Sequence, residues 1–229
     1  MVSDTELAIA SAAFVVTHFG MSSTPLRARL VRGFGERAYL VLYSLVSLVL
    51  VAWMVEAYSG LPHDRFLWLP GPGFRIVPWV VMPFATILLV AGLATPSPTA
   101  VRMEGLLEKE TGPRGILRIT RHPVQWAILL WAVSHMLANP DVSSWLLFGA
   151  FALVSGVGTV LIDFKRGRAN PGGWYRFARA TSNLPFAAMI AGRAGSPWRE
   201  IGWWRPLAGL ALFAVLAVLH PYFAGVVPW

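Results

Sequence analysis

The residues of this chain best suited by type and placement to do chemistry are its histidines: His18, His63, His122, His135 and His220. His63 lies in the polar stretch Leu61-Pro62-His63-Asp64-Arg65 and reads as a solvated, structural residue. The other four fall within or at the edge of long uncharged apolar runs. An ionisable group there is costly, so it tends to face a bundle interior or a polar cavity. Each imidazole could hydrogen-bond a carbonyl of a neighbouring helix. No acidic residue lies inside any of the runs, and four such imidazoles then favour a shared cofactor. Ligation of haem by neutral imidazole suits that inventory.

Helix geometry separates the four. His122 and His135 are 13 residues apart, about 20 Å of rise and roughly 140° around a helix axis, so they cannot serve one metal from one helix face. Measured from the outer boundary, His135 and His220 share a depth of roughly 8–9 Å, whereas His18 lies roughly 16 Å in. Depth alone therefore pairs His135 with His220. A pairing of His18 with His135 requires tilt or an irregular first span.

Arg121-His122-Pro123 opens one apolar run. Proline suits the first turn of a helix, and an arginine beside that N-terminus can grip a phosphate or carboxylate. The competing role for Arg121 is an interfacial lipid anchor. The 11 tryptophans include Trp53, Trp79, Trp126, Trp203, Trp204 and Trp229 near run ends, an aromatic belt.

The elements that must position these residues are membrane spans. Of 229 residues, 56% are hydrophobic and only 13% charged, with mean hydropathy +0.59. Soluble domains carry about 25% charged residues, so this chain has too little polar surface for a water-soluble globule. The uncharged runs are Leu7–Leu26, Ala38–Val55, Ile76–Val101, His122–Pro140, Val142–Ile162 and Pro206–Trp229. Each meets the roughly 17–25 residues a crossing helix needs. The expected fold is all-α: a polytopic transmembrane bundle of about six helices, forming a single domain over residues 1–229. The period-2 alternation of a membrane barrel is absent. Short amphipathic surface helices are expected over Val101–Thr111 and Tyr175–Ile190.

Charge placement sets orientation. The links between spans one and two, three and four, and five and six hold 17 of the 19 basic residues, leaving Arg65 and Arg75 on the other side. The positive-inside rule then puts those three links in the cytoplasm and both termini outside it. The acidic start Met1-Val2-Ser3-Asp4-Thr5-Glu6 is unlike a signal peptide, so the first span is read as retained. The net charge of +8 is spread between spans, which suits anionic headgroups rather than nucleic acid. Cysteine is absent, which excludes disulfides and every thiolate-held or thioether-linked metal group.

Taken as a set, several motifs resemble the NnrU family of bacterial membrane proteins. They are His18-Phe19-Gly20, Pro25-Leu26-Arg27, Gly35-Glu36-Arg37, Tyr43-Ser44, Gly115 through Pro123 with Trp126, Ser134-His135 and His220-Pro221. The resemblance runs from about Leu7 to about Phe223. It implies an inner-membrane protein linked to nitrite and nitric oxide metabolism in denitrification. The family is similar to the plant and cyanobacterial ζ-carotene isomerases, which use haem b held by two histidines. By that likeness the ligand pair falls on His18 and His135, while His122 and His220 match further shared histidines. If the chain is catalytic, the resemblance implies a haem-dependent isomerase or oxidoreductase with a small apolar or gaseous substrate. A weaker likeness joins Arg121-His122-Pro123, Trp174-Tyr175-Arg176 and Leu184-Pro185 to isoprenylcysteine and phospholipid methyltransferases. Those carry an acidic pair where this chain reads Asn170-Pro171-Gly172-Gly173, so no methyltransferase activity is expected.

Overall fold

The computed structural model describes residues 3–69, 71–109 and 112–226. Among these residues the regular structure is helical: α1 (Asp4–Ser23), α2 (Pro25–Ser59), α3 (Pro72–Leu93), α4 (Pro123–Ala138), α5 (Val142–Ala169), α6 (Pro171–Arg179), α7 (Ala187–Ile190), α8 (Trp198–Ile201) and α9 (Trp204–Ala224). Two 3₁₀ turns, Glu104–Glu108 and Gly115–Arg118, precede α4. The all-α expectation is met. Four helices, α2, α3, α5 and α9, are long and apolar enough to cross a membrane. The other two expected spans are also helices, α1 with 20 residues and α4 with 16.

Local chemistry starts and stops these helices. Ser3 accepts from the Glu6 amide at the head of α1, Thr24 from Leu26 at the head of α2, and Asn170 from Gly173 at the head of α6. Such caps satisfy donors that the helix itself leaves free. Pro25, Pro123 and Pro171 each open a helix, as the sequence suggested for Pro123. Gly225, with φ of 70°, ends α9.

Several boundaries differ from the uncharged runs. α2 starts at Pro25 rather than Ala38, so the arginine-rich link is itself helical, broken only where Gly35 takes φ 80° and ψ 159°. α5 continues seven residues past Ile162, over Asp163, Lys165, Arg166 and Arg168. An uncharged run measures contact with lipid, whereas a helix can continue into the headgroups and beyond. α3 stops at Leu93 instead of Val101, ahead of Pro96 and Pro98. The surface helix expected over Val101–Thr111 is only the 3₁₀ turn, after Arg102 at φ 62°. That expected over Tyr175–Ile190 is two helices, α6 and α7, parted by Asn183-Leu184-Pro185 and by Phe186 at φ 65°. Glu110, Thr111 and the end of the last expected span, Val227-Pro228-Trp229, lie outside the described residues.

The chain divides into two compact units. The first holds Met1–Val77 and Ala132–Val154, the second Pro78–Trp131 and Ser155–Trp229. In the first unit α1 packs along α2, and Tyr39 donates to the Met21 carbonyl at 2.9 Å. At one end Asp4 takes an ion pair from Arg65 and a hydrogen bond from Ser143, while Trp53 donates to Glu6. In the second unit α9 meets α3 at Gly209, where a Cβ would stand 2.6 Å from the Ile87 Cα. Small residues permit this backbone approach where the hydrophobic effect gives helices no reason to associate.

Candidate functional site

In the second unit, Arg121 and His122 precede Pro123 and are fixed by the loops around them. The Arg121 amide donates to the Ser182 carbonyl at 2.9 Å, and its own carbonyl accepts from Thr99 at 2.8 Å. Thr120 donates to the Asn183 carbonyl at 2.7 Å and accepts from the His122 amide. Trp126 donates to the same Asn183 carbonyl, and the Asn183 amide donates to Thr159 on α5. These links tie the start of α4 to α5, to the segment between α6 and α7 and, through Thr99, to the segment after α3.

Asp163 completes the arrangement. His122 Nε2 donates to its Oδ1 at 2.6 Å, and Arg121 Nη1 donates to its Oδ2 at 3.1 Å. The His122 side chain is wholly buried and that of Arg121 nearly so. Burial pushes the Arg121 guanidinium down from its ordinary value, and Asp163 opposes that shift. The guanidinium also lies 5.4 Å from the Trp174 ring and donates to the Thr181 carbonyl. Arg121 thus grips a carboxylate, as its place beside a helix N-terminus suggested, but the carboxylate belongs to the chain. This corrects the lipid-anchor alternative. It also corrects the reading that the histidines lack acidic partners, since Asp163 sits one residue past the run that ended at Ile162. His122 Nδ1 is buried and has no hydrogen-bond partner. An imidazole with one nitrogen held by a carboxylate and the other bare can accept a proton or ligate a metal.

The first unit holds His18 and His135. His18 is half-buried on α1, its Nδ1 3.0 Å from the Phe14 carbonyl one turn earlier. A carbonyl can only accept, so Nδ1 carries the proton and Nε2 keeps a lone pair. The ring lies 4.1 Å from that of Phe14 and 5.3 Å from that of Tyr43 on α2. Phe14 in turn meets Phe151 on α5 at 5.1 Å. His135 on α4 lies 5.1 Å from Phe148 on α5, with Ser134 Oγ 3.4 Å from its Nδ1. Phe148 and Phe151 are one turn apart on a single face of α5. The two histidines therefore reach one aromatic face, His135 directly and His18 through Phe14.

His220, in the second unit, holds the Val226 carbonyl at 2.8 Å and packs on Phe223. His63 is less solvated than its sequence suggested: its ring lies tilted against that of Tyr58 at 4.4 Å and 3.3 Å from Asp141. Asp141 also caps α5 by accepting from the Ser144 amide and hydroxyl. Among the described residues no group of three or more histidine or acidic side chains could hold a metal ion by itself. Asp163 and Asn183 are the site residues that sequence reasoning missed. Asp163 had a usable signal, since a helix carrying Ile162 to the membrane edge puts the next residue at the same level.

A family model described as NnrU protein matches residues 6–228. The chloroplastic 15-cis-ζ-carotene isomerase of Zea mays is 28% identical over 213 residues, covering 80% of this chain and 50% of the isomerase. The chain thus spans about half the length of the curated relative it matches. No solved structure matches it.

Proposed function

The chain belongs to the NnrU family, and we propose that it works in a bacterial inner membrane as a haem b protein linked to nitrogen-oxide metabolism. The observation that carries the haem reading is the His18 ring. Its Nδ1 is turned to the Phe14 carbonyl at 3.0 Å, which leaves Nε2 as the nitrogen able to ligate. Ligating histidines are generally oriented this way, by a hydrogen bond from the second nitrogen. Phe14, Tyr43, Phe148 and Phe151 supply aromatic surroundings of the kind that suit a porphyrin. His18 and His135 would hold the iron, and the group would supply one-electron and ligand-exchange chemistry. His122 and Arg121, in the second unit, form a polar site with Asp163.

A second reading is isomerisation of a polyene through the same histidines, and the Zea mays relative favours it. Both readings share the haem, so one experiment tests their common ground. Protein purified from haem-sufficient cells should show a Soret band that shifts reversibly on reduction. Its absence would remove both. Nitric oxide and a cis-polyene, offered separately to the pigmented protein, then divide them, by a shifted Soret band or an isomerised product.

A further inference from the structure

α2 is 35 residues long, about 52 Å at 1.5 Å per residue, against a hydrocarbon core of about 30 Å. Its first ten residues, up to Phe34, must therefore lie outside the core if the apolar stretch from Ala38 crosses it. The backbone agrees, because Gly35 leaves the helical path at φ 80°. Other residues rarely adopt that conformation.

These ten residues are amphipathic. Leu26, Leu30 and Phe34 recur every fourth position and form one stripe, with Leu26 and Phe34 exposed. Arg32 projects from the opposite side of the helix and Arg29 from the flank of the stripe beside Leu26, and both are exposed. Arg27 borders the stripe at Phe34, and it is tied off: it pairs with Glu36 across the break at 2.7 Å and lies 5.4 Å from the Tyr39 ring. Tyr39 is in turn anchored to the Met21 carbonyl at the end of α1. The charge nearest the apolar stripe is thus neutralised by the chain, while those on its flank and on the far side are left for an external partner.

We infer that Pro25–Phe34 is a surface helix, hinged at Gly35, that docks on the anionic cytoplasmic leaflet. Leu26, Leu30 and Phe34 enter the headgroup–acyl boundary, and Arg29 and Arg32 take lipid phosphates. Charge complementarity selects this partner: the segment and its flank carry Arg27, Arg29, Arg32 and Arg37 against Glu36 alone. The side of the membrane rests on the topology read from the basic residues. The docking itself does not.

The absence of cysteine allows a single label. Leu30→Cys carrying an environment-sensitive fluorophore is placed in nanodiscs of phosphatidylcholine alone or with phosphatidylglycerol. Emission should move to the blue and become quenchable by spin-labelled lipid when phosphatidylglycerol is present. Replacing Arg29 or Arg32 by Gln should weaken that lipid preference by about fivefold each. Gly35→Ala keeps every charge but favours a continuous helix, and should return the label toward water. Emission that is water-like in both lipids, or identical in both, overturns the proposal. A nanodisc exposes both faces, so an inverted topology cannot cause that failure; reporter fusions decide the side independently.

Discussion

Asp163 Oδ1 stands 2.6 Å from His122 Nε2, joining a residue at the start of α4 to one near the end of α5, 41 positions later in the chain. The same carboxylate holds Arg121. Asp163→Ala would leave a buried guanidinium without its counter-charge and a buried imidazole without either partner. The expected cost is about 2–4 kcal/mol. Asp163→Asn keeps an acceptor for Nε2 and should cost less. Thermal unfolding in detergent, with both variants beside the parent, checks the order. Equal effects would mean that charge, rather than the hydrogen bond to His122, dominates.

How much of this was legible in the sequence differs between the two sites. The helical start at Pro123 followed from residue types alone, whereas for Arg121 they left an anion grip and a lipid anchor side by side. The identity of the anion did not follow, because Asp163 belongs to a helical extension that carries charge and so fell outside every uncharged run. The same blindness hid the helix Pro25–Phe34, which reads as a loop when only apolar length is counted. His18 and Phe14 are four apart, so their contact on α1 could be expected from helical period. Convergence of α1 and α4 on the aromatic face of α5 is a tertiary fact that no local pattern contains.

Glu200 gives the clearest dependence on pH. Arg118 holds it through two hydrogen bonds of 2.9 Å, and the Gly115 amide donates a third at 2.6 Å. Its carboxyl is held below the ordinary value of 4.5, first by Arg118 and then by Gly115. A lowered carboxyl contributes stability that is fully present above its unfolded value and is lost as pH falls through the folded one. The tie between the turn Gly115–Arg118 and α8 should therefore loosen below about pH 4.5, modestly, since both side chains are partly exposed. Protection of the Gly115 amide, taken relative to its intrinsic exchange rate at each pH, should fall from pH 6 to pH 3 in the parent. Glu200→Gln should be weakly protected throughout.

Gly209 should tolerate no side chain. Its missing Cβ leaves the 2.6 Å approach to the Ile87 backbone open, and backbone cannot rotate away as a side-chain tip can. Gly209→Ala should force α9 from α3 at a cost of about 1–3 kcal/mol. Gly158 is helical too and faces open space, so Gly158→Ala is a control expected to leave stability unchanged or raised. Unfolding temperatures of the two variants decide the point.

Topology follows from the 17-to-2 division of basic residues. A reporter active only outside the cytoplasm, fused after Trp229, should be active, and one fused within Arg166–Arg168 should be silent. A cytoplasmic C-terminus would invert the orientation or change the number of spans by one, and a second fusion before Asp4 tells those apart.

The histidine pair can be assigned by spectra. His18 and His135 reach the same face of α5, through Phe151 and Phe148 respectively, which supports pairing them. The depth argument instead pairs His135 with His220, and both schemes use His135. Two neutral imidazoles produce a six-coordinate, low-spin iron. His135→Ala should lose the haem or convert it to a high-spin form under either scheme. His18→Ala should do the same, while His220→Ala should leave the spectrum unchanged if His18 and His135 are the pair. The reverse result, with His220→Ala destructive and His18→Ala silent, would return the assignment to depth. His122→Ala is the discriminating control. It removes the partner of Asp163 and should lower stability, yet keep the low-spin signature of any protein that remains folded. Loss of that signature in folded protein would make His122 part of the cofactor site.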